Sequence, residues 1–159
     1  MKLCRWTLAL IGTVLLSGCS WITTFAIVNA SRAPITISYT IGTEATKVPA
    51  CPDGVFLPFP RVVPVKELAT LEGLSKEAQK ADFTCEKSTR TVTLSLAPEQ
   101  AVSLFRVGTY TGPNSERDYR LDLMKLNIKG ESGELQYGGR QVLRDFEKSN
   151  DALWILTYK

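Results

Sequence analysis

"FAIVNASRAPITISYTI", Phe25 to Ile41, is the stretch whose reading decides the fold. In its second half Ile35, Ile37, Tyr39 and Ile41 alternate with Thr36, Ser38 and Thr40. A period of two, with hydroxyl-bearing residues on the alternate positions, belongs to a strand with one face on a core and the other in water. The first half, Phe25 to Asn29, is apolar and β-branched, and Ala30-Ser31-Arg32-Ala33-Pro34 between them supplies turn chemistry. Two strands and a turn are therefore expected here.

Working outward, Thr91 to Leu96 repeats the pattern, with Val92, Leu94 and Leu96 against Thr91, Thr93 and Ser95. Ala97-Pro98-Glu99-Gln100 turns the chain, and Ala101 to Tyr110 runs back. Val102 and Leu104 share one phase while Phe105 and Val107 share the other, which predicts a bulge or an edge crossing near Leu104. Arg120 to Lys129 reads as a strand with a second phase slip at Met124. Gly130-Glu131-Ser132-Gly133 makes a hairpin turn and Glu134 to Gly138 pairs back. Arg140 to Lys148, with Val142, Leu143 and Phe146, suits a strand or a helical turn. Ala152 to Tyr158 is apolar in both phases, as in a strand covered on both sides, and is expected at the centre of a sheet.

Two stretches break this texture. Pro49, Pro52, Pro58, Pro60 and Pro64 make Gly42 to Val65 an extended crossing loop or edge, because proline removes ladder donors. Its Val55-Phe56-Leu57 and Phe59 either close one end of the core or form an exposed patch. Val65 to Ala81 alone has helix-forming composition over any length. Leu68, Leu71, Leu74 and Ala78 fall at helical spacing with Ser75 as a candidate N-cap, but Gly73 interrupts, so one or two short turns are expected. The fold class is thus mainly β: an antiparallel β-sandwich of about eight strands with one short helical segment.

The chain starts differently. Lys2 and Arg5 precede an uncharged apolar run from Trp6 to Leu16, followed by Ser17, Gly18 and Cys19. Basic region, short apolar region and small residues are the plan of a secretory signal, too short to span a bilayer, which needs about 20 apolar residues. Leu16-Ser17-Gly18-Cys19 resembles the lipobox of bacterial lipoproteins. That resemblance implies that residues 1–18 are a signal peptide and are removed, and that the Cys19 thiol carries acyl chains. Ser20, where an aspartate would favour the inner membrane, then implies the outer membrane, with the protein facing the periplasm. Residues 19–24 would be a lipidated tether reaching no more than about 20 Å, and residues 25–159 a single domain.

Without residues 1–18, Cys51 and Cys85 remain beside Cys19, an even pair in an exported context, which predicts a structural disulfide. There is no histidine in the chain. The usual general base, the Ser–His and Cys–His nucleophile pairs and the commonest transition-metal ligand are all missing, so no catalytic residue, metal or cofactor is expected. Losing Lys2 and Arg5 brings the nineteen basic residues nearly level with the sixteen acidic ones. No Lys/Arg run exceeds a pair, which argues against nucleic acid as a partner.

Tyr110, Tyr119 and Tyr137 lie near polar turns with Arg106, Arg117, Arg120 and Arg140, an aromatic and guanidinium set that could stack on a sugar or hold a protein. The plainer alternative is that they pack over sheet edges. Glu131 with Glu134, and Asp118 with Asp122, are the carboxylate pairs a histidine-free hydrolase would need, but they flank turns or lie on a strand. The expectation is a non-enzymatic lipoprotein held by its acyl chains, meeting an envelope protein as an accessory or assembly module. A periplasmic glycan- or small-ligand-binding module and a carboxylate hydrolase are the rivals.

Overall fold

The computed structural model describes residues 20–42, 49–54, 57–68, 78–110, 123–139, 144–150 and 152–159. Among these the chain forms β1 (Ser20–Asn29), β2 (Ile35–Ile41), β3 (Arg61–Pro64), a single helical turn α1 (Val65–Leu68), β4 (Gln79–Lys80) and β5 (Phe83–Glu86). There follow β6 (Thr91–Leu96), β7 (Gln100–Tyr110), β8 (Leu123–Gly130), β9 (Gly133–Gly138), β10 (Glu147–Asn150) and β11 (Leu153–Tyr158). Two sheets pack face to face, one ordered β10-β11-β1-β7-β3-β4 and the other β5-β6-β2-β8-β9. The molecule is a β-sandwich of mostly antiparallel strands.

The opening stretch forms its two strands, but they enter different sheets. β1 lies between β7 and β11, and β2 lies between β6 and β8, so residues 30–34 form an arch between layers and not a hairpin within one. Asn29, fully buried at the end of β1, holds the arch. Its Nδ2 donates to the carbonyls of Ala33 at 2.9 Å and Leu96 at 3.0 Å. Its Oδ1 accepts from the Ser31 amide at 3.0 Å and the Ser31 hydroxyl at 2.6 Å. A buried amide with both ends satisfied costs little, whereas an orphaned one costs about 1–3 kcal/mol, so this side chain specifies the corner.

The core between the sheets takes Phe25 and Ile27 of β1, Ile35, Ile37, Tyr39 and Ile41 of β2, Val92, Leu94 and Leu96 of β6, and Leu126 and Ile128 of β8. Phe25 meets Phe146 edge-on, with ring centroids 5.6 Å apart, and stacks on Trp154 at 6.2 Å. The alternate side chains of β1, Ala26 and Val28, join Ala101, Leu153 and Val63 in a second cluster on the other face of the six-stranded sheet, roofed by Leu68 of α1.

Both expected phase slips are present. The β1–β7 register jumps from Phe25–Phe105 to Ala26–Ser103, leaving Leu104 as the extra residue. That of β2 and β8 jumps from Thr40–Lys125 to Ile41–Leu123, leaving Met124. The hairpin of β8 and β9 turns at Glu131-Ser132. At Gly130 a side chain would meet the Tyr158 ring at 2.8 Å, and the Tyr158 hydroxyl donates to the Gly133 carbonyl at 2.8 Å.

Other expectations need correcting. β11 lies one strand in from the edge, pairing β10 on one side and, in parallel, β1 on the other. Its apolar run reflects cover on both faces of the sheet and not a central position. β1 begins at Ser20, five residues before the apolar pattern suggested, because its threonines 23 and 24 are buried and its ladder to β7 continues back to Tyr110. Among its described residues the helical stretch forms one turn, within the one or two expected. Leu71, Leu74 and Ser75 lie outside the described residues, and Gln79–Lys80 pairs with β3. The proline-rich segment contributes β3, which pairs with both β7 and β4.

Candidate functional site

The proline-rich segment is built onto one end of the five-stranded sheet. Cys51 and Cys85 form a disulfide with Cα atoms 6.0 Å apart, closing a separation of 34 residues and tying the segment to β5. Between Asp53 and Leu57 the chain folds on itself: the Asp53 and Gly54 amides donate to the Leu57 carbonyl, and the Leu57 amide donates to the Asp53 carboxylate at 3.0 Å. Gly54 has φ +79°, and a Cβ there would strike the Phe59 ring at 2.5 Å. Phe59 tilts against Phe83 with centroids 6.1 Å apart, and the Lys80 ammonium stands 4.0 Å above the Phe59 ring. Leu57 packs on the core between the sheets. Of the two readings offered for this segment, Leu57 and Phe59 follow the one that closes an end of the sandwich; Val55 and Phe56 lie outside the described residues.

Beside it, on the water-facing side of β2, β5 and β6, is a shallow open groove of about 390 Å³ lined by Thr36, Asp82, Phe83, Thr84, Thr93, Leu94 and Ser95. The hydroxyls of this face largely bond one another across strands: Ser38 with Thr93 at 3.0 Å, Thr40 with Thr91 at 3.2 Å, and Thr84 to the Thr93 carbonyl at 3.4 Å. Asp82 is the one charged residue among those that line the groove.

Arg90 was not singled out by sequence. Its backbone φ is +55°, and its guanidinium donates to the carbonyls of Ile41, Gly42 and Pro49, capping β2 and pinning the start of the proline segment. Nothing in a Ser-Thr-Arg-Thr string announces such a role, since it depends on three carbonyls from distant positions.

Of the sequence-nominated residues, Arg106, Tyr110, Glu131, Glu134 and Tyr137 are among those described, on β7, β9 and the turn before β9. Tyr137, on β9, donates its hydroxyl to the Asp145 carboxylate at 3.0 Å. Partial burial first, and then that bond and the Asp145 charge, push its pKa up from 10.0 to about 12. Tyr110 ends β7 opposite Ser20 and Arg106 pairs with Thr24 in register, while Tyr119, Arg117, Arg120 and Arg140, with Asp118, Asp122 and Cys19, lie outside the described residues. Glu131 sits in the exposed hairpin turn. Glu134 accepts from Gln136 at 2.9 Å and Asn127 at 2.7 Å. Those bonds, Gln136 first, hold its carboxyl below the usual range, the opposite of what a general acid requires. Among the described residues no group of three or more His, Cys, Asp or Glu side chains is placed to hold a metal ion.

Fold and site together define a disulfide-clipped β-sandwich with a hydroxyl-rich outer face. No protein-family model, curated protein or solved structure matches the chain.

Proposed function

We propose that the chain is an envelope lipoprotein. Acyl chains on Cys19 hold it to the outer membrane facing the periplasm, and the sandwich acts there as a non-enzymatic accessory or assembly module for another envelope protein. The observation that carries this reading is the lipobox-like Leu16-Ser17-Gly18-Cys19 ending an apolar run immediately before β1. Each buried methylene contributes about 0.8 kcal/mol to membrane binding, so two or three acyl chains anchor stably where one does not.

The position of β1 adds a physical consequence. It is paired on both sides, by β7 and β11, and begins one residue after Cys19. An anchor there leaves almost no free tether, and the load it transmits falls on an interior strand of the larger sheet. The Cys51–Cys85 bridge also suits an oxidising compartment.

Intact-mass measurement of the protein purified from membranes tests the address. The expected mass lacks residues 1–18 and includes a diacylglyceryl group, and Cys19→Ser protein is expected in the soluble fraction. An unmodified thiol at Cys19, or retention of residues 1–18, overturns the reading. Affinity capture from detergent-solubilised envelopes tests the module role: a partner retained by the lipidated form and lost from Cys19→Ser supports it, and none retained counts against it.

A further inference from the structure

Four strands end the two sheets among the described residues, and three of them are blunted. β4 is two residues long and ends in Lys80. β5 is four residues long and clipped to the proline segment by Cys85. β10 is four residues long, carries Lys148 and changes register before Asn150. Short length, lysine, a covering loop and irregular register are the devices that keep sheet edges from pairing with other chains.

Among the described residues β9 shows none of them. It runs six residues, Gly133 to Gly138, without lysine or proline, and its register with β8 is unbroken. The described residues place no strand on its far side, so alternate amides and carbonyls have no ladder partner there among those residues. It also carries an exposed large hydrophobic residue, Leu135, at 36% exposure.

We propose that β9 is a homodimerisation edge, pairing antiparallel with β9 of a second copy about a two-fold axis through Gln136. The inference is independent of the membrane address. The choice of a second copy over another protein rests on self-complementarity. In this register Leu135 faces Tyr137 of the second copy and Tyr137 faces its Leu135. Gln136 faces Gln136, and Glu134 faces Gly138.

The pairing of β8 with β9 extends each row: Leu126 lies beside Tyr137, Ile128 beside Leu135, Lys125 beside Gly138 and Lys129 beside Glu134. Two apolar rows, Leu126–Tyr137–Leu135–Ile128, therefore cross the two-fold on one face. On the other face Glu134 of each copy stands between its own Lys129 and, over the missing side chain of Gly138, the Lys125 of its mate. No like charges are opposed, and cross-strand pairs of these types stabilise sheets where opposed like charges do not. Six paired residues make a small interface, so the association is expected to be of about micromolar strength or weaker.

Sedimentation equilibrium of the full-length chain across roughly a hundredfold range of concentration reads the result. Wild type is expected to pass from monomer to dimer, and Leu135→Lys to raise the dissociation constant at least about tenfold. Circular dichroism melting is the control, with the melting curve of Leu135→Lys expected to match that of wild type. Under mild oxidation Gln136→Cys is expected to form a covalent dimer well above the level of wild type or of Thr36→Cys, placed on the same face away from the edge. A wild type that stays monomeric throughout, as an edge reserved for a different protein would leave it, overturns the proposal. So does a dimer indifferent to Leu135→Lys, or Gln136→Cys linking no better than Thr36→Cys.

Discussion

In the six-stranded sheet β1 sends Phe25 and Ile27 into the core between the layers and Ala26 and Val28 into a second cluster under Leu68. In the five-stranded sheet β2 sends Ile35, Ile37, Tyr39 and Ile41 inward and gives Thr36, Ser38 and Thr40 to the water-facing side. Among the described residues one sheet has apolar clusters on both faces and the other on one. The doubly covered sheet uses small side chains, Ala26 and Ala101, on its outer face, where α1 lies close. The singly covered sheet instead ties its outer face together with hydroxyl pairs. Burial on a second face thus gives the larger sheet two apolar clusters, while the described strands of the smaller sheet contribute to one.

The difference can be broken at graded depth. Phe25→Ala, which removes the ring shared with Phe146 and Trp154, is expected to cost about 3–5 kcal/mol in urea unfolding. Replacing Cys51 and Cys85 together by serine releases the proline segment from β5 and is expected to cost about 2–4 kcal/mol by the same measurement. Ala26→Leu overfills the second cluster and should cost about 1–3 kcal/mol. Thr93→Val, on the outer face of the smaller sheet, should change stability by no more than about 0.5 kcal/mol. A Thr93→Val effect as large as that of Ala26→Leu would erase the contrast between the two faces.

The smallest effect concerns pH. Tyr137 ionises in the folded protein near 12 and in the unfolded chain near 10.0. The unfolded state therefore sheds this proton first as pH rises. Whatever the protonated hydroxyl contributes through Asp145 is fully present below about pH 10 and is lost as pH climbs toward 12. Tyrosinate absorbance should show a late-titrating group that Tyr137→Phe removes and Asp145→Asn shifts downward. Burial also raises the pKa of Tyr39, so a second late group should survive both substitutions.

How much was legible follows the same division. The singly covered strands β2 and β6 announced themselves by clean alternation. The phase slips at Leu104 and Met124 were equally readable, because a bulge moves every following side chain to the other face. β3, β4 and β10 were missed or mistaken: they are two to four residues long, too short to show a period, and β4 followed a stretch with helical composition. Of the nominated binding residues, Tyr137 proved to be engaged with Asp145, a partner eight positions away that no local pattern reveals.

The order of apolar and polar residues, by itself, determined that this chain forms strands, which side chains β2 and β6 bury and that Cys51 and Cys85 would join, because those outcomes follow from a two-residue period and from counting thiols. Only the tertiary structure decided that residues 25–41 arch between layers, that β11 runs parallel to β1, and that β9 ends its sheet among the described residues. Strand pairing is made of backbone hydrogen bonds, which are the same at every residue, so the choice among partners is settled by Asn29 at the corner, by the cover over each face and by loop closure, none of which is local.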